Sequence, residues 1–418
     1  MDRVQVFLRI KGKKSDTPFS FTDRSILDST TIYEFDQVFY GPDQSPVYSS
    51  ISSLVKLGLN GTNVTIFAYG QTGSGKTYTM EGTTENQGVI PRAIEEVFAA
   101  QPCKVHISMV EIYNEKVADV LCPENVVNVR EDKLGVGLEP LTLIECTDKS
   151  QALAALTRGS ANRKTDSNGV NSASSRSHLI VTLHLSLLAN QDLLTSKITL
   201  VDLAGSEKIE SSSEEYLSTK KHRPERYLET ATINKSLLYL SRIIYALSSP
   251  ETRSKHINYR DSKLTFILRD SLNGFAKLAI IGAINLENLP ETRNTLKFLN
   301  TAKQVKLGSD RLQNELTMQK LIAQIQYLNT ENIRLQQALD HLKAPGHPLQ
   351  AHISTTDSLT TTLEHLLDTL TNLEHQVDQI SQSFQHTQTL SNTFQKQLFT
   401  TLCQYRESEI ENLTNFPS

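Results

Sequence analysis

Up to about Lys306 the chain alternates short apolar runs with longer stretches of helical character. The short runs are "VQVFLRI", "VTIFAY", "KVHISMVEIY", "LIVTLHLSLL", "KITLVDL" and "KLAIIGAI". They are brief and rich in β-branched residues, which predicts strands. Between them lie helical stretches such as "QALAALTRGSANR" and "NKSLLYLSRIIYALSS". This alternation predicts an α/β fold, a sheet covered by helices on both faces.

After Leu307-Gly308 the character changes. From Met318, apolar residues fall at alternating steps of three and four: Leu321, Ile325, Leu328, Leu335, Leu339 and Leu342, with Asn332 as the polar member of the seam. About four heptads are enough for a short coiled coil, and a lone Asn at an a position sets register and favours a parallel pair. A helix docked on the globular domain is the other reading of the same pattern; the coiled coil is preferred. "KAPGHPLQ" (Lys343–Gln350), with two prolines and a glycine, breaks that helix. A second heptad run follows at Leu363, Leu366, Leu370, Leu373, Val377, Ile380 and Phe384, then loosens at Thr387 and Ser391. The expected organisation is a globular domain over residues 1–306, a linker over 307–317 and a coiled coil over 318–343. A break over 344–356 and a partly heptad helical tail over 357–418 complete it.

Composition narrows the class. The 418 residues accommodate one large domain of roughly 300 residues and something smaller. Lys and Arg number 42 against 46 Asp and Glu, so binding to an acidic partner needs a local basic patch, and no nucleic-acid partner is expected. Cys103, Cys122, Cys146 and Cys403 form no CxxC pair and read as reduced thiols. "MDRVQVFLRI" is no signal peptide, and no apolar run approaches the ~18 residues of a membrane span. The sequons at Asn60, Asn63, Asn234 and Asn412 are accordingly read as chance, and a soluble intracellular chain is expected. The tail is rich in Thr, Gln, Asn and Ser and is no polybasic tether.

The candidate chemistry starts where "VTIFAY" ends. Gly70-Gln71-Thr72-Gly73-Ser74-Gly75-Lys76-Thr77 fits GxxxxGK[ST] completely, between a predicted strand and a predicted helix. Glycines let the backbone N–H groups face phosphates; Lys76 would neutralise β/γ oxygens and Thr77 would ligate Mg²⁺. "ITLVDLAGSE" adds Asp202 at a strand end, holding the metal through water, and Gly205, whose N–H would meet the γ-phosphate. "NSASSRSH" (Asn171–His178) offers hydroxyls, a guanidinium and an amide for sensing that phosphate; a solvated Ser-rich loop has the same composition. Asn234-Lys235 is followed by Ser236-Leu237, so the NKxD element of guanine-selective proteins is missing and ATP is the expected nucleotide.

Together these motifs resemble the kinesin motor domain. GQTGSGKTYTM, NSASSRSH and VDLAGSE match that family's P-loop, switch I and switch II in order and spacing. "EIYNEKVADVL", "INKSL", "HINYRDSKLT" and "ETRNTLKFLNTAKQVK" extend the likeness over about residues 3 to 306. The resemblance implies a P-loop NTPase fold with a central, mostly parallel sheet, and an ATP hydrolase stimulated by microtubules. It implies that Ser175 joins Thr77 on Mg²⁺ and helps place the attacking water. Arg176 and Glu207 would form the salt bridge that closes the pocket, and Lys208, Arg260 and Lys263 would face tubulin. An N-terminal motor implies plus-end movement, a cytoskeletal location that can include the mitotic spindle, and a homodimer through the coiled coil.

Several positions depart from the family pattern. Its adenine-side RxRP stands here as Arg9-Ile10-Lys11-Gly12, with Tyr78 as a substitute ring beside the base. Phe266 replaces a basic residue, which would remove one track contact. "KIESSSEEYLSTKKHRPERYLETATI" after Glu207 is longer than usual and lacks the Thr-Gly turn. "EGTTENQGVIPR" is short, unlike the mitotic bipolar class, and "VREDK", Asn258 and "ETRNTLKF" look most like kinesin-7. Two functions follow: a motor, or a non-processive microtubule crosslinker that uses nucleotide only as a switch. The retained Lys76, Thr77, Ser175, Arg176, Asp202, Gly205 and Glu207 favour the motor. A P-loop enzyme acting on a small substrate would leave the heptads unexplained.

Overall fold

The computed structural model describes residues 2–13, 17–100, 104–132, 135–165, 175–189, 192–207, 224–249 and 257–307. The chain divides into two units, Met1–Lys320 and Leu321–Ser418, and every described residue belongs to the first. Both heptad runs, the proline break, the tail, Asn171–Ser174 and Lys208 lie outside the described residues, as does the loop that follows as far as Arg223.

In chain order the main elements are β1 (Gln5–Lys11), β2 (Gln37–Tyr40), α1 (Ser45–Leu59), β3 (Val64–Tyr69), α2 (Lys76–Met80) and α3 (Val89–Ala99). Next come β4 (Lys104–Tyr113), β5 (Lys116–Asp119), β6 (Ile144–Cys146), α4 (Lys149–Thr165), β7 (His178–Ala189) and β8 (Asp192–Asp202). The last three are α5 (Pro224–Ser248), β9 (Lys277–Asn285) and α6 (Leu289–Lys303). The nine strands form one sheet in the order β6-β4-β7-β8-β3-β9-β1-β2, with β5 paired to β4. All six strands read from the sequence are present. Both quoted helical stretches lie in helices, with α5 starting well before Asn234, at Pro224.

The sheet is mixed, not mostly parallel. From β8 through β3, β9 and β1 to β2 the neighbours are parallel; from β8 through β7 and β4 to β6, and at β5, they are antiparallel. The reason is the length of the connections. β7 ends at Ala189 and β8 begins at Asp192, too short a link for a parallel crossover. β4 turns into β5 through Asn114 and Glu115, both with positive φ (51° and 58°), the backbone of a two-residue hairpin.

Alternation along the strands builds two cores. Phe67 and Tyr69 of β3, Leu8 and Ile10 of β1 and Ile280 of β9 pack on one face with Leu240 and Ile244 of α5 and Leu296 and Leu299 of α6. Ile66 and Ala68 of β3, Leu200 of β8 and Ile281 of β9 face the other side, against Ile51 and Val55 of α1 and Ile90 and Ile94 of α3. Each fully buried side chain of this kind is worth about 1.5–3 kcal/mol. With both faces covered, β3 reads as an unbroken apolar run, all six residues buried. α6 has a local start signal: Asn288 caps it by accepting from the Glu291 N–H, with Pro290 in its first turn.

The first and last described segments meet. Asp2–Arg3 pairs antiparallel with Lys306–Leu307, where the expected linker leaves. Among the described residues no helix is long and apolar enough to cross a membrane.

Candidate nucleotide-binding site

The glycine loop leaves the C-terminal end of β3, in the middle of the sheet. Gly70 turns at φ 150°, and a Cβ there would sit 2.0 Å from the Ala283 carbonyl oxygen of β9, so only glycine fits. Gly75 is left-handed (φ 103°) and opens α2, which swings Lys76 inward. The Lys76 Nζ donates to the carbonyls of Gly70 (2.8 Å) and Gln71 (2.9 Å). Burial pushes its pKa down, and the carboxylates of Asp202 and Glu207 oppose that.

Behind the loop, Thr77 Oγ1 donates to Asp202 Oδ2 at 2.6 Å. Asp202 ends β8, directly beside Ala68 in the register of β3, and is fully buried. Burial raises its pKa; the Thr77 hydroxyl, Arg163 and Lys76 pull the other way. Its Oδ1 is buried with no hydrogen-bond partner among the described residues, as is Oε1 of Gln71. An orphaned acceptor beside a threonine hydroxyl suits a hydrated Mg²⁺, a hard cation that keeps several waters and takes few protein oxygens. Among the described residues no group of three or more His, Cys, Asp or Glu forms a metal cage, and Mg²⁺ needs none.

The segment after β8 is laced to the glycine loop. Ser206 N–H donates to the Gly70 carbonyl (3.1 Å), and Gly205 N–H to the Ser175 carbonyl (3.0 Å). Glu207 accepts from the Thr72 N–H at 2.7 Å and from the Thr72 hydroxyl. Ser175 and Arg176 are half-buried in the turn that precedes β7. Backbone bonds thus bring all three predicted motifs together.

On the expected adenine side the structure assigns Arg9 a different task. Its guanidinium is buried and donates to Gln44 Oε1 (2.6 Å), Thr79 Oγ1 (3.1 Å) and the carbonyls of Gly41, Pro42 and Asp43 (3.3, 2.8 and 3.1 Å). It also lies 4.9 Å from the Tyr78 ring centroid. Arg9 therefore anchors the 41–44 segment beneath Tyr78, with both terminal nitrogens of its guanidinium engaged by protein acceptors. The Tyr78 hydroxyl bonds the Pro42 carbonyl at 2.8 Å and receives Asn86 Nδ2 at 2.9 Å. Lys11 reaches the glycine loop from outside, donating to the Gly73 carbonyl at 2.8 Å.

Sequence reasoning missed a buried network behind the site. Arg163 of α4 donates to Glu111 Oε1 (2.9 Å) and to the carbonyl and hydroxyl of Ser177 (3.1 and 3.0 Å), and it lies 3.8 Å from Glu81. Gln44, Asn86 and Arg163 carried no local motif. Ser177 and His178 stood inside the quoted "NSASSRSH" without an assigned role.

The expected track residues sit on a separate surface. Arg260, two-thirds exposed, bonds Glu131 Oε2 at 2.5 Å and lies 5.3 Å from the Phe266 ring. Phe266 itself is 9 % exposed, so it faces the core instead of leaving a gap on the surface. Lys263 is exposed at the start of a short helix (Lys263–Ile267) whose N-cap is Ser262, and its N–H donates to Glu115 Oε2 at 2.7 Å. α5 adds an exposed stripe that periodicity alone did not single out: Lys235, Leu238, Arg242 and Tyr245, with Leu238 and Tyr245 49 % and 65 % exposed.

A phosphate-binding loop between the central strands of a helix-covered sheet, floored by a buried aspartate, defines a P-loop nucleoside triphosphatase fold. A family model described as the kinesin motor domain matches residues 7–305, and the chain belongs to that family. It is 35% identical over 350 residues to kinesin-like protein KIF18A of Mus musculus, covering 79% of this chain and 38% of that protein. It is 39% identical over 299 residues to kinesin-like protein KIN-7D, mitochondrial, of Arabidopsis thaliana, covering 68% and 27%. A solved structure titled "Structure of a fast kinesin: Implications for ATPase mechanism and interactions with microtubules" superposes with TM-score 0.66 at 32% identity, covering 73% of this chain and 93% of that one. Identities of 35% to 39% run across relatives named KIF18, KIN-8, KIN-14 and KIN-7 and do not separate the subfamilies. The chain spans about two fifths of the length of the first curated relatives it matches.

Proposed function

We propose that the chain hydrolyses ATP with Mg²⁺, is stimulated by microtubules and converts the cycle into movement along them. The observation that carries this reading is the pair of backbone bonds joining Gly205 to Ser175 and Ser206 to Gly70, because they make the three phosphate-facing loops one device. Thr77, Ser175 and Asp202 would hold the metal. Mg²⁺, when bound, neutralises charge on the phosphate oxygens.

The protein groups then exchange partners. Lys76 leaves the carbonyls of its own loop for the β/γ oxygens. Gly205 N–H leaves the Ser175 carbonyl for the γ-phosphate, and Glu207 leaves Thr72 for Arg176. With Ser175 placing the water, catalysis is positioning and charge stabilisation rather than a single strong base. Tyr78, propped by Arg9 and Asn86, offers its ring to adenine. The two arrangements of these loops form the bistable element that sets track affinity.

Arg260, Lys263, Lys208 and the Lys235/Arg242 face of α5 supply the positive charge for acidic tubulin, and binding weakens with salt. Plus-end direction and pairing through Met318–Lys343 belong to the same proposal and rest on the resemblance and the heptads. The crosslinker reading rests on the long loop after Glu207, which lacks the family's Thr-Gly turn. ATPase rates with and without microtubules, alongside co-sedimentation in ATP and in a non-hydrolysable analogue, separate the two. Stimulation with nucleotide-dependent binding supports the motor; binding that ignores nucleotide, with no stimulation, overturns it.

A further inference from the structure

His178 is the last residue of "NSASSRSH" and the first of β7, and its ring is buried. The Ala204 N–H donates to its Nδ1 at 3.0 Å, and its Nε2 lies 2.7 Å from Ser236 Oγ on α5. Because Nδ1 accepts, the ring proton sits on Nε2, and the imidazole donates to Ser236. Burial, then Arg163 and Lys76, push its pKa down to about 3, so the ring stays neutral. Ala204 lies between Asp202 and Gly205, the residue whose N–H meets Ser175.

A second side chain runs in parallel. Ser206 and Ser241 lie beside the Tyr69 hydroxyl, and its ring stacks on Phe298 of α6 at 3.8 Å. The Ser236 hydroxyl on the inner side of α5 therefore meets a side chain bonded to Ala204, with Tyr69 beside Ser206 and Ser241. The outer side of the same helix carries Leu238, Arg242 and Tyr245.

We propose that His178 is a positioning residue whose neutral imidazole ties Ser236 of α5 to Ala204, so that a shift of the 203–207 loop is passed to the helix. It touches no phosphate; it acts through the loop on one side and the helix on the other. Its use in a motor cycle rests on the function proposed above, whereas the link itself can be read without microtubules.

The test is hydrogen exchange over residues 203–207 and 235–248, in ADP and in a non-hydrolysable ATP analogue. In the wild-type chain both segments change protection together. Ser236→Ala keeps the loop's change and loses most of the helix's; Ser236→Thr, which retains the hydroxyl, restores it. His178→Asn keeps an acceptor for Ala204 but no longer reaches Ser236, so it behaves like Ser236→Ala, and the double variant is no worse than either. With microtubules, Ser236→Ala leaves the basal ATPase intact and lowers stimulation about 5-fold, the scale of one neutral hydrogen bond. A helix response unchanged in Ser236→Ala and His178→Asn overturns the link. So does an equal loss in loop, helix and basal rate that simply follows melting temperature. If the wild-type chain shows no stimulation, the motor reading fails while the exchange data still decide the link.

Discussion

Gly205→Ala tests whether the bonds between the loops control turnover. A Cβ at Gly205 would lie 2.2 Å from Thr72 Oγ1 and 2.4 and 2.5 Å from the two carboxylate oxygens of Glu207. All three are ends of movable side chains, so alanine separates Thr72 from Glu207 without unfolding the core. The lost contacts are two hydrogen bonds to a carboxylate, each about 1.5–3 kcal/mol where solvent is excluded. Both face water here, which replaces much of that, leaving about 1–2 kcal/mol, or roughly 5–30-fold in the population of the resting arrangement in which Glu207 holds Thr72. The proposed cycle has Glu207 leave Thr72, so that loss alone does not slow turnover; the added methyl also crowds the N–H that would meet the γ-phosphate. Expected results are steady-state ATP turnover down at least about 10-fold, nucleotide affinity by a fluorescent titration down less than about 3-fold, and little change in melting temperature. Gly58→Ala is the control. Its Cβ would lie 2.5 Å from Ile198 Cγ1 between α1 and β8, an overpacking of about 1–3 kcal/mol that lowers stability and spares turnover per folded molecule. Wild-type turnover in Gly205→Ala, or a melting loss as large as that of Gly58→Ala, refutes the reasoning.

Other perturbations follow from the same geometry. Asp202→Asn keeps an acceptor for Thr77 and removes a charge that burial disfavours, so the nucleotide-free protein melts higher in calorimetry. Its Mg²⁺-dependent turnover falls by about two orders of magnitude or more, given the several kcal/mol a metal supplies. Arg163→Met strands Glu111 and Ser177 in the interior and costs about 3–5 kcal/mol in urea denaturation. Glu131→Gln removes the carboxylate that holds Arg260, while Arg269 keeps Asp270, and microtubule affinity by co-sedimentation rises a few-fold, most at low salt. His184, bonded to Ser108 within the sheet, has its pKa pushed down to about 3 by burial, with Lys197 and His106 adding. Above pH 6.5 both states leave it neutral. Below that the unfolded chain takes up a proton the folded one refuses, so stability falls about 1.4 kcal/mol per pH unit toward pH 3. Between pH 7 and pH 5 His184→Gln therefore loses about 2 kcal/mol less than the wild type in paired urea titrations.

The parts of the site legible in advance were those written in local backbone. Gly70 and Gly75 must be glycine because of their own φ and one close carbonyl, and Lys76-Thr77 follow them into α2. Asp202 was legible because an apolar strand ending in Asp beside a glycine loop has few places to go. Arg9 was different. Its type and position matched a nucleotide motif, yet Gly41–Gln44 returns beneath it and takes its donors. Phe266 likewise read as a missing charge on the surface until the packing under Arg260 turned it inward.

From residues alone came the alternation that makes an α/β domain, the phosphate loop, the switch motifs and the change of period after Leu307. Each depends on neighbours within a few positions, which is the range of φ preference, hydrophobic period and side-chain spacing. Strand direction across the sheet, the task of Arg9, the Arg163 network and the His178 link between Ala204 and Ser236 were settled only by the folded chain. The side-chain contacts of Arg9, Arg163 and His178 join residues 14 to 82 positions apart. Such partners are chosen by how two cores pack onto one sheet, and no local pattern carries that information.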